Sequence, residues 1–287
     1  MNKRAGIAGL LCFIAATLFT GRALPSEVSG DFCSKNSPAG FLEAGASVLR
    51  YAVNVLMFTD AAETEISSKR VYVAGESRTA IESKLRADTK GIASIFSNGL
   101  RQEHTSLAVE KDGVGVFVSK EHILIQKGGL NPIYLRFNVD YEKRKLYKER
   151  STPVMGGEDK KVFSEWDIPP GTFYEDPLVV LLNFQERRRS FPAIGEEIII
   201  RTLPFEGDLS YDIIRIYRQN YASEGMAMVL VDAPKGFLRK GQRTSMLVLF
   251  RKDTLLPVWA KAEKVVPLPF PFPDGDAEGS LVCFGGD

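Results

Sequence analysis

The sequence predicts a mainly β protein: a large antiparallel curved sheet or open barrel with one short buried helix. Three observations predict it. Several segments alternate apolar and polar residues with a period of two, short turn signals separate them, and a single run, Asp176 to Arg189, has the chemistry of a capped helix. Parallel strands need helical crossovers between them, so short strands divided by turns point to antiparallel pairing.

The chain opens with the pattern of an export signal. Lys3 and Arg4 precede an apolar or small stretch from Ala5 to Thr20, and Gly21-Arg22-Ala23 puts small residues where signal peptidase reads. The apolar stretch is about 16 residues, short of the roughly 20 that span a bilayer. Cys12 follows Leu10-Leu11 instead of the small residue a lipoprotein signal uses. The expectation is a periplasmic protein with a signal peptide over 1–23 cleaved near Ala23, an extension over 24–46 and a single β-rich domain over 47–287. No second apolar run of membrane length follows, so no transmembrane segment is expected in the mature chain.

The precursor has 37 basic and 36 acidic residues. Lys3, Arg4 and Arg22 leave with the signal, giving 34 basic against 36 acidic and a net charge of about −2. A balance so near neutrality argues against general nucleic-acid or anionic-membrane binding. The basic runs "YEKRKLYKER" (141–150) and "ERRR" (186–189) are interleaved with acids or close an element, so they read as solvated faces. Cys33 and Cys283 survive cleavage. An isolated pair in an oxidising compartment is more often a disulfide than two free thiols, and it is too small a set for a metal site.

In "LRYAVNVLMF" (49–58), Leu49, Tyr51, Val53, Val55 and Met57 share one face of a strand, with Arg50 and Asn54 on the other. "DIIRIYR" (212–218), "MAMVLVD" (226–232) and "TSMLVLFRKD" (244–253) read as further strands. Turn signals at Lys111-Asp112-Gly113, Glu206-Gly207-Asp208 and Lys252-Asp253 punctuate them. No internal repeat is visible. "STPVMGGEDKK" (151–161) is the linker candidate, as a loop or as a domain boundary.

"EDPLVVLLNFQERRR" (175–189) predicts the helix. The Asp176 carboxylate can cap its first turn, Pro177 suits the first helical position, and Arg187 to Arg189 sit where the helix dipole favours cations. Pro192 and Gly195 stop it. Leu178, Val179, Val180, Leu181, Leu182 and Phe184 wrap most of its circumference, which calls for burial on most sides. Val179 and Val180 also fit a buried strand; the caps favour the helix.

These residues carry a family resemblance. The Tyr51-Ala52-Val53 strand, the strand end Phe137-Asn138-Val139-Asp140 and the helix start Asp176-Pro177-Leu178 with Gly195 after it come in that order. Gly236-Phe237, the turn from Asp253 to Pro257-Val258 and a closing Gly279-Ser280-Leu281 strand follow. In this order the motifs resemble the exported bacterial family known as domain of unknown function 3108, over roughly residues 47–282. Val179 and Val180 depart from it where the family has a small hydroxyl residue, as does the insert "VPLPFPFPDGD" (266–276). The resemblance implies a periplasmic β-rich protein and no chemistry.

The two histidines, His104 and His122, each follow a glutamate. If Asp112-Gly113 is a two-residue hairpin turn, His104 faces Glu121 and His122 faces Glu103. That places the histidines on opposite sides of the sheet as two Glu–His pairs, with no shared metal. "AGESRTA" (74–80) lacks the second glycine of a nucleophile elbow after Ser77. No phosphate-binding glycine loop is present, and no cofactor is expected.

Two function classes follow. One is a non-enzymatic binding protein of envelope maintenance, holding a lipid or other apolar ligand in its curved sheet. The other is an envelope-polymer hydrolase using paired carboxylates. Tyr51, Val53, Val55, Leu181, Leu182 and Phe184 are either the lining of an apolar ligand pocket or core. Pro267, Pro269, Pro271 and Pro273 alternate with Leu268, Phe270 and Phe272, three apolar side chains that either cover this protein's own sheet or dock an envelope protein partner.

Overall fold

The structure, a computed structural model, describes residues 46–285 apart from 56–57, 74–79, 129–131, 154–158, 208, 222, 238–242 and 267–274. The signal, Cys33, Ser77, and the insert's Leu268, Phe270 and Phe272 lie outside the described residues.

Eight strands run first: β1 (Ala46–Val55), β2 (Phe58–Val71), β3 (Ala80–Thr89), β4 (Arg101–Glu110), β5 (Phe117–Lys127), β6 (Ile133–Asp140), β7 (Lys145–Thr152) and β8 (Lys160–Asp167). Helix α1 (Gly91–Phe96) interrupts them between β3 and β4, and α2 (Pro177–Gln185) follows β8. Then come β9 (Glu197–Thr202), β10 (Asp212–Arg218), β11 (Met226–Ala233), β12 (Thr244–Arg251), β13 (Pro257–Val266) and β14 (Gly275–Gly285). All fourteen form one antiparallel sheet in the order β8-β7-β6-β5-β4-β3-β2-β1-β14-β13-β12-β11-β10-β9. It is two meanders of neighbouring strands, joined where β1 pairs with β14.

The sheet curls. The segment leading into α2 takes a hydrogen bond from Ser119 N of β5 to Tyr174 O, and gives one from Glu175 N to Arg201 O of β9. The fourth strand from one edge of the sheet and the edge strand at the other therefore reach the same stretch of backbone. Phe137 and Leu146, on β6 and β7, pack with Leu203, Phe205 and Phe237 from the far half of the sheet. Lys148 of β7 is buried and donates to Pro204 O at 2.8 Å, so this part of the 141–150 run is not a solvated face.

Helix α2 lies in the hollow, as its all-round apolar sequence requires. Asp176 is its N-cap, and Pro177 opens it. Val179 and Leu182 enter one core cluster with Leu49, Tyr51 and Trp259, while Val180 and Phe184 enter another with Ile214, Ile216 and Phe250. The helix stops earlier than Pro192 and Gly195. It ends at Gln185, because Arg187 turns to the left-handed region at φ 55°. The three arginines fasten this end: Arg187 donates to Asp253 O, Arg188 pairs with Glu110 and Arg189 with Glu175. The short α1 is a second helix that no periodicity announced. The stretch 151–161 connects β7 and β8, which pair directly as a hairpin.

Candidate functional site

A cavity of 350 Å³ runs between α2 and the inner face of the sheet. Register explains why it exists. Val53 pairs with Gly279 and Val55 with Ala277. Gly279 and Ala277 in turn pair with Ala260 and Ala262 of β13. These four small residues share the inner face of adjacent strands, opposite the large residues Val180, Leu181 and Phe184 of α2, and all seven line the cavity. A methyl group added at Gly279 would only reach ordinary contact, 3.6 Å from Val53 Cγ2. The space comes from small side chains where a filled core would need large ones.

Of the six residues that the sequence marks as lining or core, Tyr51, Val53, Val55, Leu181 and Phe184 line the cavity. Leu182 turns the other way, into the core beside Leu49 and Trp259. The Tyr51 hydroxyl donates to Pro257 O at 2.8 Å, and burial pushes its pKa well above the ordinary phenol value. The wall is otherwise aliphatic or aromatic except for Thr64, Asp88, Thr89 and Gln102 towards one end. Asp88 is held in ion pairs with Arg86 and Arg101. Gln102 Nε2 donates to Phe237 O at 3.2 Å, which pins Phe237 against the cavity wall.

Beyond Phe237 lies a buried polar cluster that reverses the expected placement of the histidines. The β4–β5 connection is longer than a two-residue turn, running from Glu110 to Phe117. A bulge at Lys120 then shifts the register, so Ala108 pairs with Ser119 but Leu107 with Glu121. One extra residue moves every later side chain to the opposite face. His104 pairs with Leu124 and His122 with Ser106, so the histidines share the inner face and neither faces a glutamate. His104, Ser106, Ser119, His122 and Asp176 all have zero exposure.

The cluster is one chain of hydrogen bonds. His104 Nδ1 lies 3.1 Å from His122 Nε2, and His122 Nδ1 lies 2.8 Å from Ser106 Oγ. The Ser106 and Ser119 hydroxyls donate to the two oxygens of Asp176 at 2.7 and 2.8 Å. The same carboxylate caps α2, accepting from Leu178 N at 2.9 Å and Val179 N at 3.3 Å. Burial alone would raise the Asp176 pKa, but His122 and the two hydroxyls outweigh it and hold the carboxyl below its ordinary value. Burial, with His122 second, holds His104 well below the ordinary imidazole value; Asp176 opposes both. His104 Nε2 is buried with no hydrogen-bond partner. Among the described residues no group of three or more His, Cys, Asp or Glu is placed to hold a metal.

The sequence marked none of Ser106, Ser119 or the small-residue wall. The wall had a signal in "WAKAEK" and "DAEGSL", where small residues alternate in strands whose neighbours carry large ones. The serines had none, because their role depends on a bulge that places β5 against the cap of α2.

No family model matches this sequence, and no curated protein does. Among solved structures, the chain is similar to a β-barrel-like protein of domain of unknown function 1849 from Brucella abortus. The two are 8% identical with a TM-score of 0.42, over 84% of this chain and 98% of that one. The similarity is loose, to a β-rich protein that is itself of unknown function. The described helices include none long and apolar enough to cross a membrane.

Proposed function

We propose that the protein is an exported periplasmic binding protein, of the kind that the 3108 motifs resemble, whose cavity holds the hydrocarbon part of an apolar ligand such as a lipid acyl chain. The observation that carries this reading is the 350 Å³ cavity walled by Ala260, Ala262, Ala277 and Gly279. Its size falls in the range of small-molecule sites, roughly 300–1,000 Å³. Apolar side chains that face unfilled space lack the packing contacts a filled core would give them. A hydrocarbon occupant restores those contacts without needing any polar partner.

A hydrolase reading would draw support from two free carboxylates converging on a polar groove. Glu175 and Asp176 are the carboxylates buried side by side, and both are engaged: Asp176 caps α2, and Glu175 binds Arg189 and Asn183. Neither lines the cavity.

Delipidated protein incubated with an envelope lipid extract, repurified and measured by native mass spectrometry should carry one lipid per chain. Protein that emerges with its apo mass contradicts the reading. Export is tested by N-terminal sequencing of the periplasmic fraction, which should start close to residue 24; a chain still starting at Met1 contradicts it.

A further inference from the structure

We propose that His104, His122 and Asp176 form an acid-operated latch on the cavity: a proton taken up at His104 Nε2 drives His104 towards water and displaces Phe237 from the cavity wall, releasing the occupant. The proposal rests on the binding function above and adds its regulation.

The geometry leaves the extra proton one place to go. The Ser106 hydroxyl spends its hydrogen on Asp176, so its oxygen accepts from His122 Nδ1. A single hydrogen bridges His122 Nε2 and His104 Nδ1. The outer end of this chain, His104 Nε2, has neither partner nor exposure. A proton there puts a positive charge on a fully buried ring whose centroid lies 4.5 Å from that of Phe237, with the Asp176 carboxylate reached only through His122 and Ser106.

The other charged or titratable groups near the pair do not answer that charge. Glu175 lies beside Asp176 but is committed to Arg189 and Asn183. Lys148 of β7, beyond the Phe137 ring, is a further cation. Tyr141 donates to Ser119 O, and Glu206 packs against Gly236. From β3, the residue opposite His104 is Leu85. Phe237 is therefore the barrier: its ring lies 4.5 Å from His104, it lines the cavity, and two hydrogen bonds hold its backbone, one from Gln102 to its carbonyl and one from its own N–H to Pro234 O.

The test titrates a fluorescent fatty acid into the full mature chain between pH 7.5 and pH 5, in the wild type and in His104→Gln, which cannot charge. The wild type should bind at least tenfold more weakly at pH 5, and His104→Gln should change less than threefold. Parallel loss in both, or no loss in the wild type, overturns the latch. Hydrogen exchange of the Phe237 loop and the first turn of α2 is measured in the same samples without probe. If the probe binds at neither pH, the binding reading fails and exchange decides the latch: acid-accelerated exchange in the wild type alone supports it, and equal exchange in both overturns it. If His104→Gln fails to fold, His104→Asn takes its place.

Discussion

The Phe237 ring lies 4.5 Å from the ring of His104, and Phe237 is also a wall of the apolar cavity. One residue thus divides the two unusual features of the interior, a mostly apolar space and a cluster of polar side chains. Gly236 makes the approach feasible. It sits at φ 81°, and a Cβ there would come within 2.3 Å of Glu206 Cγ. Both features also converge on α2, whose first turn is capped by the cluster and whose flank lines the cavity.

Asp176 is the most sensitive single position that this arrangement implies. Asp176→Ala removes an N-cap worth about 1 kcal/mol. It also strands the buried Ser106 and Ser119 hydroxyls, at roughly 1–3 kcal/mol. Urea denaturation should show a loss of about 3 kcal/mol, with Asp176→Asn costing less because it keeps an acceptor. A loss under about 1 kcal/mol for the alanine variant would mean that the cluster does not hold the helix.

How much of this was legible depended on how local each cause was. The strand 212–218 and the start of α2 are written in adjacent residues, by alternation in one case and by Asp176-Pro177 in the other, and the structure has both. The face of His122 was not legible. It turns on a bulge at Lys120, and neither that bulge nor the length of the preceding connection leaves a mark that Asp112-Gly113 did not overshadow. The cavity was half legible: inward residues of β1 and α2 follow from periodicity, but Leu182 differs from Leu181 only in where the sheet curls.

Stability should fall in mild acid. Unfolded, His104 titrates near the ordinary imidazole value of 6.5; folded, burial and then His122 hold it well below. Between those values the unfolded chain binds a proton that the folded chain does not. The full stability is present above about pH 6.5 and declines as the pH drops, at up to about 1.4 kcal/mol per pH unit. Asp176, also depressed, adds its own loss only as the pH falls below the ordinary carboxylate value of 3.8. Denaturation at pH 8, 6.5 and 5 should show little change across the first interval and a clear drop across the second, flattened in His104→Gln. A drop of equal size in the variant would place the cause elsewhere.

If the chain is exported to an oxidising compartment, as proposed, Cys33 and Cys283 should be bonded. Closing so long a loop stabilises by up to about 5 kcal/mol in the chain-entropy model. Peptide mapping without reductant should recover the two cysteines in one linked species. Two alkylated single peptides from protein purified without reductant would show that the pair is free.

The central claim, that the small-residue wall exists to admit a hydrocarbon chain, is tested most directly by filling it. Ala260 and Ala262 face the cavity from one strand, so Ala260→Leu/Ala262→Leu puts carbon where the occupant would lie. The measurement is the affinity for a fluorescent fatty acid at pH 7.5, taken alongside the unfolding midpoint. The account predicts binding at least tenfold weaker in a protein as stable as the wild type or up to about 2 kcal/mol more stable, as cavity filling commonly gives. Wild-type affinity in the folded double variant would contradict it.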